Sequence, residues 1–151
     1  TTRDIREGEV EGDTYYFISR EEFKKMSDNG EFAETAEYHD NMYGLSKKEV
    51  KKIAKENKNV FAIVEHEGYK QLKNIYPNSI GIFIYMSKED CLANMLLRGD
   101  NLDNALSRVK TYDDEIKNRY EYDYVVKNVR NKESEIFQII MNIVRQYKQE
   151  S

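Results

Sequence analysis

The stretch TTRDIREGEVEGDTYYF, residues 1–17, decides how the rest of the chain is interpreted. Arg3 and Arg6 lie three residues apart, and Tyr15 follows after glycines at positions 8 and 12 that permit tight turns. Guanidinium groups offer several donors in a planar fork, so this pair can converge on one phosphate, with the tyrosine hydroxyl as a further donor. The alternative is a solvated strand edge, which is the usual outcome for an isolated pair of arginines.

Composition limits the classes of protein to which the chain can belong. The 151 residues are 39% hydrophobic and 34% charged, yet the net charge is only -4, which favours one domain without a basic face for nucleic acid. The single Cys91 cannot form an internal disulfide, and His39 and His66 lack partners at metal-ligand spacing. No apolar run is long enough to span a bilayer or to form a signal core. We therefore expect a cytoplasmic protein that uses no nucleic acid, no membrane and no built-in metal site.

Helical and strand patterns alternate along the chain. Ser19, Ser46 and Ser87 begin capping boxes and predict helix starts. The predicted elements, in chain order, are strand 14–18, helices 19–30 and 46–57, strand 60–65, helix 68–76, strand 80–86, helices 87–97 and 101–120, strand 122–127 and a closing helix at 136–147. Such alternation builds an α/β fold with a mainly parallel sheet.

Two further clusters could carry chemistry. In the acid-rich segment 31–38, a buried Glu34 could accept two hydrogen bonds from the adjacent N–H donors of guanine, which adenine does not present, although most acid-rich segments are solvated. Arg98 precedes a glycine that can serve as a hinge, and Arg108 lies further along a predicted helix. Two such arginines could close over a transferring phosphoryl group, although Arg108 taken singly is typical of a surface residue.

Taken together, these residues resemble the guanylate kinases along nearly the whole chain. The strongest match is T-T-R-x-x-R-x-G-E-x-x-G-x-x-Y-x-F at residues 1–17, supported by EFAE at 31–34, NMYG at 41–44 and YDYVVKN at 122–128. The resemblance implies an α/β, P-loop NTPase-like fold of the nucleoside monophosphate kinase type, with helices on both faces of a parallel sheet. It implies a single domain over residues 1–151, in which 1–46 form a small GMP-binding subdomain, 87–110 form the lid and the remainder forms the core.

The same resemblance implies an ATP-dependent phosphorylation of GMP to GDP in purine nucleotide metabolism. The substrates would be GMP and ATP with Mg²⁺, and the protein would be a monomer or a small homo-oligomer. Residues matching the family's motifs would hold the GMP phosphate (Arg3, Arg6, Tyr15, Tyr43), hold the guanine base (Glu34, with Glu65 in place of an aspartate) and contact the transferring phosphates (Arg98, Arg108).

Several positions depart from the family pattern. Leu45 stands where a small hydroxyl residue helps to hold the base, Ile63 replaces the first aspartate of D-x-D-x-x-G, and Met95 replaces an arginine of the lid. We expect these changes to affect guanine selectivity and rate more than the fold.

The glycine-rich loop G-x-x-x-x-G-K-[ST], which binds the ATP phosphates in the family, does not occur in the 151 residues. We therefore expect the first strand and this P-loop to belong to a preceding segment of a longer protein, and the 151 residues alone to be inactive. The alternative is a non-catalytic guanylate-kinase-like module that binds a nucleotide or a phosphorylated ligand.

Overall fold

The computed structural model describes residues 1–38, 40–56 and 59–150, with side chains described up to Tyr147. The chain divides into two compact units, Thr1–Ser79 and Ile80–Ser151. The predicted end of the second helix at Asn57 and the predicted exclusion of His39 as a metal ligand fall outside the described residues. The predicted division into a GMP-binding subdomain, a lid and a core stays a prediction.

Among its described residues, the first unit contains three helices and one hairpin. Helix α1 (Arg20–Asp28) begins where predicted, because the Ser19 hydroxyl accepts a hydrogen bond from the backbone N–H of Glu22 at 3.1 Å. It buries Phe23, whose ring stacks on Phe32 of strand β1 (Phe32–Tyr38) at 4.6 Å between centroids. The other elements of this unit are strand β2 (Asn41–Ser46), helix α2 (Lys47–Glu56) and helix α3 (His66–Ile75).

Strands β1 and β2 form an antiparallel hairpin that the sequence pattern did not predict. Asp40 adopts a left-handed conformation at its turn, with φ 59°. The register shifts between Phe32 and Glu34, so that Ala33 is the extra residue of a β-bulge. As a result two successive side chains, Ala33 and Glu34, are both buried. In a regular strand they would point to opposite faces.

Two predicted strands are absent from the described structure. Segment 14–18 forms only an isolated bridge between Glu11 and Tyr15, although the Ile18 N–H donates to the Thr1 carbonyl at 2.9 Å. Segment 60–65 pairs with no strand among the described residues, and Ile63 is fully exposed. Both segments have the composition of a strand, but a strand also needs a neighbour that supplies its ladder of hydrogen bonds.

The second unit contains a parallel pair of strands, β3 (Ile82–Tyr85) and β4 (Tyr124–Lys127). The chain between them forms helix α4 (Lys88–Leu97), helix α5 (Leu102–Lys110), a short helix α6 (Tyr112–Glu115) and a 3₁₀ helix (Ile116–Glu121), which is the kind of crossover that parallel strands need. Helix α7 (Glu133–Glu150) closes the chain and contacts β4. The small core includes three buried residues, Ala105, Val126 and Ile143.

The predicted helix over 101–120 is therefore wrong as one element. Helix α5 ends at Lys110, where the Thr111 hydroxyl donates to the Arg108 carbonyl at 2.9 Å. Such a bond between a side chain and the backbone competes with continuation of the helix. The predicted helix starts at Ser46 and Ser87 and the closing helix are confirmed. Within the part of the chain that the structure describes, none of the helices has the length and apolarity needed to cross a membrane.

Candidate active site

The side chain of Arg3 is held on several sides within the first unit. Its two terminal nitrogens donate to the two carboxylate oxygens of Glu9 at 2.8 and 2.9 Å, and its side chain is only 10% exposed. The guanidinium lies 5.4 Å from the ring centroid of Tyr15 and 5.5 Å from that of Phe17. A planar cation fixed by a bidentate ion pair and by aromatic rings presents its remaining N–H groups in one orientation.

Glu9 connects the two arginines of the motif. Besides binding the Arg3 side chain, it accepts a hydrogen bond from the backbone N–H of Arg6 at 2.8 Å. The hydrogen bonds from Arg3 and from the Arg6 backbone lower the pKa of Glu9 to about 2. Glu9 also raises the pKa of Arg3, and Tyr43 adds a smaller effect in the same direction. The carboxylate is therefore ionised at neutral pH and orders the loop that carries both arginines.

The structure brings the other predicted phosphate ligands close to Arg3. The rings of Tyr15 and Tyr43 meet edge to face at 5.9 Å between centroids, and Tyr43 acts electrostatically on Arg3. The Arg6 side chain is exposed, and among the described residues its guanidinium makes no hydrogen bond. We name Arg3, Arg6, Tyr15 and Tyr43 the clamp. Three of its members are in mutual contact, and the fourth is tied to them through its backbone.

Glu34 is buried, at 7% exposure, because the bulge at Ala33 turns its side chain inward. Burial and the neighbouring Glu65 raise the pKa of Glu34 above its usual value. Glu65 is itself exposed and precedes the first residue of α3. The structure thus brings together the two carboxylates that the sequence assigned to the base, one buried and one open to solvent.

The second unit contains the two remaining predicted arginines. Arg98, at the end of α4, binds Asp100 through two hydrogen bonds, of which the bond from Nε is 3.1 Å long. The hydrogen bonds from Arg98, with the charges of Arg98 and Arg108, lower the pKa of Asp100. Arg108 is exposed and lies in the last turn of α5. Asp100 therefore lies within the electrostatic reach of both arginines and partly neutralises them.

Across residues 1–38, 40–56 and 59–150, no three His, Cys, Asp or Glu side chains cluster closely enough to hold a metal ion. The clamp, by contrast, is rich in cationic and hydroxyl donors, which suit phosphate oxygens.

Sequence comparison and structure comparison with known proteins identify the same family. A family model described as guanylate kinase matches residues 1–147. This chain belongs to the guanylate kinase family. The guanylate kinase of Clostridioides difficile (strain 630) is 36% identical over 155 residues, covering 98% of this chain and 76% of the relative. That of Helicobacter pylori (strain ATCC 700392 / 26695) is 37% identical over 147 residues, covering 96% of this chain and 70% of the relative.

A solved structure agrees with this assignment. The crystal structure of guanylate kinase from Anaplasma phagocytophilum is similar with a TM-score of 0.74 and 31% identity, covering 96% of this chain and 71% of that one. The predicted α/β, P-loop NTPase-like fold class is confirmed by this match. The chain spans 63% of another relative, the guanylate kinase of Buchnera aphidicola subsp. Baizongia pistaciae (strain Bp), to which it is 38% identical over 130 residues.

The positions that depart from the guanylate kinase pattern can now be placed. Leu45 pairs directly with Glu34 across the hairpin, so an apolar side chain stands beside the buried carboxylate. The hydroxyl of the neighbouring Ser46 accepts a long, 3.5 Å hydrogen bond from the Glu49 N–H at the start of α2. Ile63 is fully exposed, and Met95 is half-buried in α4. The roles of these residues, like those of the eight predicted site residues, stay predictions.

Three residues near the site were not assigned a role from the sequence. Glu9 orders the clamp, whereas Gly68 and Gln71 of α3 lie against β1. Glu9 was visible as part of the guanylate kinase motif at residues 1–17, and Gly68 ends the segment that matches D-x-D-x-x-G. No local pattern distinguishes Gln71, because its partner Thr35 lies 36 residues away.

Proposed function

We propose that this protein is a guanylate kinase that transfers the γ-phosphoryl group of ATP to GMP, and that the first unit binds GMP. The observation that carries the proposal is the clamp held by Glu9 in the same compact unit as the buried carboxylate of Glu34. Relatives named guanylate kinase favour this activity over the non-catalytic module.

The clamp supplies donors for the GMP phosphate. Glu9 occupies one N–H of each terminal nitrogen of Arg3, and the Asp4 carbonyl accepts a further bond from Nη1. The remaining Arg3 donors, the exposed Arg6 guanidinium and the hydroxyls of Tyr15 and Tyr43 can bind the phosphate oxygens. Because Arg3 is already fixed, it loses little conformational freedom when it binds the phosphate.

Glu34 and Glu65 provide the acceptors for the base. An ionised Glu34 accepts hydrogen bonds from the ring N–H and the exocyclic amino group of guanine, and adenine offers no such pair of donors. Since burial disfavours the charged carboxylate, guanine would supply hydrogen bonds that Glu34 makes with none of the described residues.

The phosphoryl transfer needs charge neutralisation more than a protein base. A GMP phosphate oxygen attacks the γ-phosphorus of ATP, the bond to the β-phosphate oxygen breaks, and ADP leaves. We propose that Arg98 and Arg108 stabilise the charge on the transferring group, after exchanging Asp100 for phosphate oxygens. Mg²⁺ would enter with ATP as part of the substrate. A cytoplasmic location and a monomeric or small homo-oligomeric state stay predictions.

Calorimetric titration with GMP tests the clamp. Each of the substitutions R3A and R6A should weaken GMP binding by roughly 1.5 to 3 kcal/mol, the contribution of a hydrogen-bonding group that is charged. R20A changes an arginine of the same unit that the proposal leaves outside the clamp, and it should bind GMP as the wild type does. Unchanged GMP affinity in both R3A and R6A would show that the clamp does not bind the phosphate.

A further inference from the structure

Helix α3 contacts strand β1 at the base-binding carboxylate, Glu34, and at the residue that follows it. Gly68 and Gln71 are three residues apart in α3 and therefore lie on one face of the helix. Gly68 meets the side chain of Glu34, and Gln71 meets the backbone of Thr35, the next residue along the strand. One face of the helix thus contacts both the side chain of Glu34 and the strand backbone of the next residue.

Glu34 approaches Gly68 so closely that a side chain at position 68 would displace it. A Cβ atom at this position would lie 2.7 Å from Glu34 Oε1 and 2.9 Å from its Cγ, distances that force a displacement. The backbone of Gly68 is helical, so the need for glycine does not come from an unusual φ angle. A glycine inside a helix costs about 1 kcal/mol relative to alanine, and here it leaves the space that the carboxylate occupies.

Gln71 binds Thr35 as a neighbouring strand would. Its side-chain Oε1 accepts from the Thr35 N–H at 3.0 Å, and its Nε2 donates to the Thr35 carbonyl at 3.1 Å. A primary amide carries one acceptor and two donors, so it can satisfy both backbone groups of one residue together. These bonds fix the position of β1 relative to α3 at the residue immediately after Glu34.

The same helix also positions the second carboxylate. Glu65 is the N-cap residue of α3, and its charge acts on Glu34. A shift of α3 against β1 would therefore change the distance between the two groups that face the base.

We infer that Gly68 and Gln71 are positioning residues that determine guanine selectivity by holding α3 against β1 and the Glu34 carboxylate in its base-binding place. This inference rests on the proposed function. Two hydrogen bonds to one base edge require placement of the carboxylate within a fraction of an ångström, so a displaced Glu34 binds guanine poorly. The clamp lies on other residues, so binding of the phosphate should not depend on Gly68 or Gln71.

The test compares the affinities for GMP, AMP and ribose 5-phosphate in the wild type, G68A and Q71A. Ribose 5-phosphate lacks a base and reports on the clamp alone. In both variants the affinity for GMP should fall by about 10- to 100-fold, the loss expected for a charged hydrogen bond. Affinities for ribose 5-phosphate and AMP should stay unchanged, so the preference for GMP over AMP decreases. N74A, on the exposed part of the same helix, is the control and should keep that preference.

A double substitution tests the steric argument directly. Alanine has neither the Cγ atom nor the carboxylate that a Cβ atom at position 68 would meet, so E34A leaves room for it. The addition of G68A to a protein that already carries E34A should therefore change GMP affinity little, whereas G68A alone should lower it strongly.

The outcomes separate this inference from the function on which it rests. If the wild type binds GMP no better than AMP, the proposed function itself is wrong. If the wild type prefers GMP and both variants keep the full preference, Gly68 and Gln71 are not positioning residues. If thermal unfolding shows that G68A does not fold, the ratio of GMP to AMP affinity in Q71A decides.

Discussion

At the scale of single residues, the site depends on two carboxylates with opposite environments. Glu9 is paired with Arg3 and with the Arg6 backbone, which lowers the pKa of Glu9, whereas burial and Glu65 raise the pKa of Glu34. The first carboxylate binds Arg3 and the Arg6 backbone, and the second lies against Gly68 of α3. The arginine motif was recognisable from sequence, but these environments follow from contacts with residues outside it.

The Arg3–Glu9 pair predicts a pH-dependent contribution to stability. Because the pKa of Glu9 is about 2 in the folded protein, below its ordinary 4.5, the pair stabilises the fold fully above pH 4.5 and loses its effect as the pH falls to about 2. The melting temperature of the wild type should therefore exceed that of E9Q at pH 6, and the difference should shrink on acidification. Thermal melts by circular dichroism at several pH values measure this. A difference that stays constant down to pH 2 would contradict the role of the pair.

The raised pKa of Glu34 predicts how the binding of GMP depends on pH. The pKa of Glu34 is raised, and guanine needs the ionised form, so GMP binding should weaken at a higher pH than it would with an ordinary glutamate. E65Q removes the neighbouring charge and should move the midpoint of this loss to lower pH. GMP titrations between pH 4 and 7 give both midpoints. E67Q, which changes an exposed glutamate of the same helix, should leave the midpoint where it is; identical midpoints in the wild type and E65Q would contradict the coupling.

At the scale of elements, the hairpin β1–β2 is the main structure that the sequence pattern did not predict. Its acidic first strand is typical of a solvated segment, yet Ala33 and Glu34 are buried because α3 packs against it. The helices were predicted better, because caps such as Ser19 and Ser87 act on residues three positions away. A strand instead depends on pairing with a second segment, here from Tyr38 opposite Asn41 to Phe32 opposite Ser46, and composition does not reveal that pairing.

The packing within the hairpin predicts that a side chain at Gly44 lowers stability. A Cβ atom there would lie 2.7 and 2.8 Å from two carbon atoms of the Phe32 ring, which stacks on Phe23. G44A should therefore displace Phe32 and lower the free energy of unfolding by about 1 to 3 kcal/mol, as overpacking does. Urea unfolding measures the change. In a protein that already carries F32A the same substitution should have much less effect, and an equal loss in both backgrounds would exclude the steric explanation.

At the scale of the whole molecule, the predicted site residues divide between the two units. The clamp, Glu34 and Glu65 belong to Thr1–Ser79, whereas Arg98 and Arg108 belong to Ile80–Ser151. The 151 residues contain the side chains proposed to bind GMP and the transferring phosphate, but they contain no G-x-x-x-x-G-K-[ST] sequence for the ATP phosphates. We therefore expect this polypeptide to bind GMP without consuming ATP.

A coupled assay of ADP release, together with calorimetry, tests whether GMP binds without ATP consumption. The polypeptide of these 151 residues should bind GMP in calorimetry but show no GMP-dependent consumption of ATP, because its sequence has no G-x-x-x-x-G-K-[ST] loop to supply backbone N–H groups and a lysine. Binding of GMP serves as the control that the polypeptide is folded. Clear turnover would mean that other residues hold the ATP phosphates.

The sequence by itself determined the family, the arginines and tyrosines of the clamp, and most of the helices. These depend on motifs with specific residues at close spacing, and on caps that act within one helical turn. Tertiary structure alone decided that 14–18 and 60–65 form no ladder among the described residues, that a bulge buries Glu34, and that a side chain at Gly68 would displace Glu34. Burial and strand pairing depend on which distant segment packs against a residue, and this information is not contained in its local sequence.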